Sequence, residues 1–171
     1  KLPCAVITLF SYSSKVEMKF VNGEQRVFLN GEDVSEKIRT PEISMGASDI
    51  SAIPAVRQFL LDLQRKIARE NSVIMDGRDI GTVILPNAQV KIFLTADVKV
   101  RAERRYKELI EKGTQVEYKD VLDELIQRDY NDSHREIAPL KPAEDSVMLD
   151  TTGMNLEESV NEIIRIIKEK M

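Results

Sequence analysis

The tetrapeptide Asp76-Gly77-Arg78-Asp79 sets two carboxylates around a guanidinium, directly after the apolar run 73–75, with a second glycine at Gly81. The planar fork of Arg78 suits a phosphate or a carboxylate. Asp79 can accept from a ligand amino or hydroxyl group, and the glycines let the backbone turn sharply and approach a ligand. The alternative is a capped turn with a local Asp–Arg pair. A second group, Arg128, Asp132 and Arg135, falls at i, i+4 and i+7, on one helix face if the helix continues that far. It reads either as a solvated salt-bridge face or as a carboxylate for a sugar hydroxyl flanked by cations for phosphate. The proline-rich turn 136–145 that follows favours the second. Arg101, Arg104 and Arg105, at i, i+3 and i+4, either neutralise polyphosphate or form a surface stripe with Glu103 and Glu108 as partners. Arg39, Ser48 and Arg57 mean little singly. His134 beside Ser133 lacks a nucleophile motif such as G-x-S-x-G, so a structural role is expected, and Cys4 reads as a buried thiol.

The elements that must position these groups follow from periodicity. Residues 1–14 suggest a helix remnant or a strand. Val16, Met18 and Phe20 alternate with Glu17 and Lys19, Val27 and Leu29 continue the alternation, and Asn-Gly pairs stand at 22–23 and 30–31. This predicts a small antiparallel sheet of two or three strands within 15–40. Pro54 opens a helix whose apolar positions are Val56, Phe59, Leu60, Leu63 and Ile67. Short buried strands are predicted at 73–75, 90–95 and 146–152. Helices are predicted from Asp97, as N-cap, to Gly113, over 117–136, and over 155–171. Strands alternating with long helices imply an α/β fold with a parallel sheet covered on both faces. Active residues in such sheets sit beyond the carboxyl ends of strands, which is where Asp76 to Asp79 are expected.

Composition narrows the class. The 171 residues suffice for one core, or one core with a small lobe. A formal net charge of −4 gives no reason to expect nucleic-acid binding. No apolar run reaches membrane-span length. One cysteine excludes an intrachain disulfide, and one histidine excludes a multi-histidine metal site. A cytoplasmic protein and a monomer are expected.

The stretches "RVFLNGEDVSEKIRTPEIS", "ASDISAIPAVR", "MDGRDIGTVILPNAQVKIFLTADVKVRAERRYKEL" and "RDYNDSHREIAPLKPAEDSVMLDTTG" cover most of residues 26–153. In this order they resemble bacterial cytidylate kinases, the CMP/dCMP kinases among nucleoside monophosphate kinases. The resemblance overrides the surface-stripe readings of the arginines. It implies a parallel sheet flanked by helices, of the P-loop kinase type. A small antiparallel monophosphate-binding insert would span 15–45, a helical lid 101–135, and the core 46–100 and 136–171. It implies that Ser48, Arg57 and Asp79 read cytosine, that Arg78 and Arg135 hold the CMP phosphate, and that Arg128 and Asp132 contact the sugar. Arg78, Arg128 and Arg135 would serve catalysis. Arg101, Arg104 and Arg105 would close over the transferring phosphates of ATP, and Asp76 would lie near Mg2+, acting through water. The implied reaction is ATP-dependent phosphorylation of CMP or dCMP to CDP or dCDP.

The family's phosphate loop, G-x-x-x-x-G-K-[ST], has no counterpart here, because none of the seven glycines is followed by lysine. The family's early CMP-holding arginine is absent too. That loop cradles ATP phosphates and binds Mg2+ through its hydroxyl. The 171-residue chain alone is therefore expected to be inactive or nearly so. Upstream residues lost or disordered, a fragment, or a second chain would each account for the gap. A CMP-binding or regulatory fragment without catalysis is the competing expectation.

Overall fold

The structure, a computed structural model, describes residues 14–171 apart from Ala52 and the side chains of Pro41, Ser44 and Ser48. The expectations for residues 1–13 and Cys4 lie outside the described residues. The chain divides into two compact units, one ending at Val73 and the other beginning at Ile74.

In the first unit, the two Asn-Gly pairs do what their chemistry dictates. Asn22 and Gly23 have φ of 54° and 82°, and Asn30 and Gly31 have φ of 51° and 87°. Positive φ at both central residues gives a turn whose twist matches paired strands. The turns join β1 (Val16–Val21), β2 (Glu24–Leu29) and the short β3 (Glu32–Asp33) into an antiparallel sheet, with Val16 opposite Leu29 and Val21 opposite Glu24. Buried Ser35 locks the far end of the sheet. Its hydroxyl accepts from the Val27 amide at 2.8 Å and donates to Asp33 at 2.6 Å. The bonds that Asp33 accepts from the Ser35 hydroxyl and amide hold its carboxyl below its usual range. Two helices follow, α1 (Pro41–Ser51) and α2 (Pro54–Glu70), the latter with Pro54 in its first turn as predicted. The sequence reading missed α1. Its signal was Thr40-Pro41-Glu42: the Thr40 hydroxyl accepts from the Ile43 amide at 3.4 Å, ahead of a proline and an acid at the helix start.

Where the first unit gives way to the second along the chain, the expectation of a buried strand at 73–75 is corrected. No strand pairing includes this segment among the described residues, and Ile74 is 95% exposed. An apolar run sets only a local preference for extended backbone, and a strand also needs a neighbour to supply ladder bonds. Asp76 to Asp79 therefore follow irregular chain rather than a strand end. A wide turn over Ile80–Ile84 comes next: the Ile84 amide donates to the Asp79 carbonyl at 3.2 Å, and Leu85 to Ile80 at 2.7 Å. These are i to i+5 bonds, the mark of a π-type turn. Neither Gly77 nor Gly81 has positive φ, and close approach is the constraint at Gly77. A Cβ on Gly77 would meet the Ile80 side chain at 3.0 Å.

β4 (Ile92–Thr95) and β5 (Val147–Asp150) pair in parallel, Ile92 beside Val147 and Thr95 beside Asp150. Parallel strands need a long crossover, and here it consists of α3 (Val98–Glu111) and α4 (Tyr118–His134). The predicted caps hold: the Asp97 carboxylate accepts from the Lys99 amide at 2.8 Å, and Gly113 turns the chain away with φ of 77°. The pair α3–α4 packs through buried Ala102, Leu109 and Val121, and through an edge-to-face contact of Tyr106 with Tyr118 at 6.0 Å. The closing helix, α5 (Leu156–Lys170), starts with a reciprocal capping box between Asn155 and Glu158. Among the described residues no helix is long and apolar enough to cross a membrane.

Ala102 has no exposed surface. Replacing it with leucine is expected to destabilise the second unit by about 1–3 kcal/mol through overpacking, read as a lower urea midpoint for the transition of this unit.

Candidate anion-binding site

One carboxylate organises the polar groups of the second unit. Asp132 lies on the last full turn of α4, and its side chain is only 6% exposed. Its Oδ2 accepts from Arg78 Nε at 2.9 Å and lies 3.8 Å from Arg128 Nε. The helical spacing of Arg128 and Asp132 brings the second contact about, whereas Arg78 arrives from 54 residues away. The helix ends at His134, so Arg135 leaves it with extended backbone, ψ 143°. Arg135 Nε then donates to the Ala138 carbonyl at 2.7 Å, and its Nη2 lies 3.7 Å from Asp79 Oδ1. The expected shared helix face thus holds for Arg128 and Asp132, and Arg135 reaches the site from the cap. The Leu140 amide donates to the Asp132 carbonyl at 2.8 Å, folding the proline-rich turn back beneath the cluster.

Three guanidiniums, Arg78, Arg128 and Arg135, meet two buried carboxylates, Asp79 and Asp132, a surplus of one positive charge. Burial first, then the neighbouring charge of Arg78, pushes the Arg128 guanidinium below its ordinary pKa. Its Nε is buried without a hydrogen-bond acceptor among the described residues. A buried donor left in that condition is costly, and an oxygen-rich anion would relieve both that cost and the surplus charge.

The remaining predicted residues are tied to other partners. Arg101 donates through Nη1 and Nη2 to the two oxygens of Asp129 at 3.1 and 2.6 Å, and through Nε to the Ala96 carbonyl at 2.9 Å. Arg104 donates through Nη2 to the carbonyls of Thr151 and Met154 at 2.6 and 2.9 Å. Arg105 pairs with Glu108 one turn on, at 2.8 Å. Arg57 donates to the Ser51 carbonyl at 3.2 Å within the first unit, and Arg39 lies on the surface 4.0 Å from Glu36. The side chain of Ser48 lies outside the described residues. Asp76 is exposed, and the described residues contain no group of three or more metal-ligating side chains. Magnesium asks less than that: one or two carboxylates beside substrate phosphates and water. His134 stacks on Tyr130 with ring centroids 4.1 Å apart, its Nδ1 beside the Tyr130 carbonyl, in keeping with a structural role. The sequence reading missed Asp129. Its only signal was a carboxylate directly after Arg128, and nothing local tied it to Arg101.

An α/β fold whose parallel strands are crossed by a helical pair is of the P-loop nucleotide kinase type. The comparisons narrow this. The Cytidylate kinase family profile matches residues 3–169. A cytidylate kinase of Caldicellulosiruptor bescii is 51% identical over 154 residues, 90% of this chain and 68% of that protein. One from Lactobacillus johnsonii is 48% identical over 166 residues, 97% of this chain and 72% of that protein. One from Thermosipho melanesiensis is 47% identical over 154 residues, 90% of this chain and 71% of that protein. The chain belongs to the cytidylate kinase family.

Asp132→Ala would leave Arg78 and Arg128 facing each other without their shared counter-charge. Losing one partner of a fully buried pair costs roughly 3–5 kcal/mol. The partial exposure of Arg78 and Arg128, 39% and 28%, reduces the expected loss to about 2 kcal/mol. Urea unfolding measures it, and added phosphate should recover part of the loss.

Proposed function

We propose that the activity of this protein is transfer of the γ-phosphoryl group of ATP to CMP or dCMP, giving CDP or dCDP, and that the 171-residue chain by itself binds CMP without turning over ATP. The observation that carries the first part is the surplus positive charge of the Arg78, Arg128 and Arg135 cluster, in which Arg128 Nε is buried without an acceptor among the described residues. Family membership supports the choice of nucleotide. In this reading Arg78 and Arg135 hold the CMP phosphate, and Arg128 and Asp132 hold the sugar. Asp79 reads the cytosine amino group. Uracil would set a carbonyl against that carboxylate, and mispaired buried polar groups discriminate strongly. The roles of Ser48 and Arg57 stay expectations of the resemblance.

Phosphoryl transfer depends mainly on positioning and charge neutralisation. Mg2+, when bound with ATP, would supply charge neutralisation at the phosphate oxygens, with Asp76 near it through water. Residues 101–135 serve as the lid, and residues 15–45 as the monophosphate-binding insert. Among the lid arginines, Arg105 donates, among the described residues, only to a half-buried Glu108 on its own helix and is the one most readily passed to an incoming phosphate. The second part rests on sequence: this chain contains no G-x-x-x-x-G-K-[ST], the loop whose backbone donors and lysine cradle ATP phosphates. The protein works as a monomer in this reading.

The test is CMP and UMP titration, with a CDP-formation assay, on protein of verified intact mass. CMP is expected to bind more tightly than UMP, and CDP is not expected to form above background. Asp79→Ala is expected to abolish the preference for CMP. Retained preference would overturn the base-reading role, absence of CMP binding would overturn the site, and CDP formation would overturn the claim about turnover.

A further inference from the structure

Asp129 lends its charge to the neighbouring Arg128, but its carboxylate accepts its hydrogen bonds from outside the cationic cluster, three residues before Asp132. Its carboxylate receives both terminal nitrogens of Arg101, while the third donor of the same guanidinium goes to the carbonyl of Ala96, the residue that follows β4. One planar group therefore joins three elements: the end of β4, the first turns of α3, and the C-terminal half of α4. The base of α3 is anchored independently. Arg104 grips the carbonyls of Thr151 and Met154, and the Asp97 amide donates to the Thr152 hydroxyl at 2.9 Å. The distant end of α4 is held by Tyr118 and Val121. At the end that carries Arg128 and Asp132, the Arg101–Asp129 fork is the polar contact that sets α4 against the strand ends.

We infer that Asp129 is a positioning residue: through Arg101 it fixes the height and rotation of α4, and so the place at which Arg128 and Asp132 meet a ligand. The inference rests on the proposed CMP site. A bidentate fork suits this task because it defines a plane as well as a distance. Asparagine is nearly the same size as aspartate but offers one acceptor in place of two and no charge, so Asp129→Asn loosens the orientation without opening a cavity. Supporting groups of this kind decide whether a site is merely present or held in working geometry.

The experiment uses the 171-residue chain with four sequences: unchanged, Asp129→Asn, Arg101→Lys, and both substitutions together. Three quantities are read: CMP affinity by calorimetry, solvent exchange of the Arg128 Nε–H by NMR, and the thermal midpoint. Asp129→Asn is expected to weaken CMP about tenfold and to speed Arg128 Nε–H exchange, with the thermal midpoint lowered by no more than about 5 °C, the shift that loss of one charged hydrogen bond brings. Arg101→Lys is expected to do the same, because lysine is a point donor without the fork, and the double variant should be no worse than either single one. Unchanged affinity and exchange in Asp129→Asn, or additive losses in the double variant, would overturn the inference. A loss of affinity that merely follows a collapsed thermal midpoint would also overturn it, because global destabilisation would then be the cause. If Asp129→Asn fails to fold, Arg101→Lys decides by the same criteria. If the unchanged chain fails to bind CMP, the proposed function falls, and Arg128 exchange alone then decides whether Asp129 sets α4.

Discussion

A carboxylate shared by two guanidiniums is the constraint on which the second unit's chemistry depends. Like charges do not gather in a low-dielectric interior unless something between them repays the repulsion. Asp132 is that counter-charge for Arg78 and Arg128. Its position near the end of α4 explains why the chain beyond it must curl back so tightly: the Leu140 amide is spent on the Asp132 carbonyl, and Arg135 on that of Ala138. The result is a cluster already assembled, with its charges partly balanced before any ligand arrives. Preorganisation of this sort lowers the cost of binding, because the protein does not have to gather its cations afterwards.

The other arginines show how the same residue type serves a different end. Arg101 and Arg104 are spent on protein acceptors at the carboxyl ends of β4 and β5. There they hold helices in place, where a reading by charge alone would have them all reach for phosphate. Arg78 and Arg128 differ from these because they share an acceptor, and a shared acceptor leaves donor capacity over. The count of donors against acceptors around each guanidinium therefore separates scaffold from site better than proximity in sequence does.

Legibility in the sequence followed the range of the interaction. The Asn-Gly turns, the Asp97 cap, the Gly113 stop and the Asn155 helix start are settled within a few residues, and each was readable. The pairing of β4 with β5 was readable as alternation of strand and helix patterns, since only a long crossover joins parallel strands. Residues 73–75 misled because their apolar run specifies extended chain but cannot specify a neighbour. The wide turn at 80–84 left no compositional trace. In the site, the spacing of Arg128 and Asp132 was legible as a helix face, and family resemblance supplied the rest of the roles. The Arg101–Asp129 fork was invisible, because its partners lie 28 residues apart and only the packing of α3 on α4 unites them.

The two hairpin turns also set how this protein ages. Asparagine followed by glycine is the pair most prone to cyclise, because the bare glycine leaves its amide nitrogen open to attack on the asparagine side chain. The resulting isoaspartate adds a methylene to the backbone, and asparagine ranks among the thermolabile residues for such reasons. At Asn30 the side-chain oxygen accepts from the Lys15 amide at 2.8 Å, which restrains the side chain for as long as β1 stays paired. Fraying of the first strand and chemical damage to the second turn are thus coupled. Long storage would alter the small sheet at its two Asn-Gly turns, leaving the cationic cluster of the second unit chemically intact.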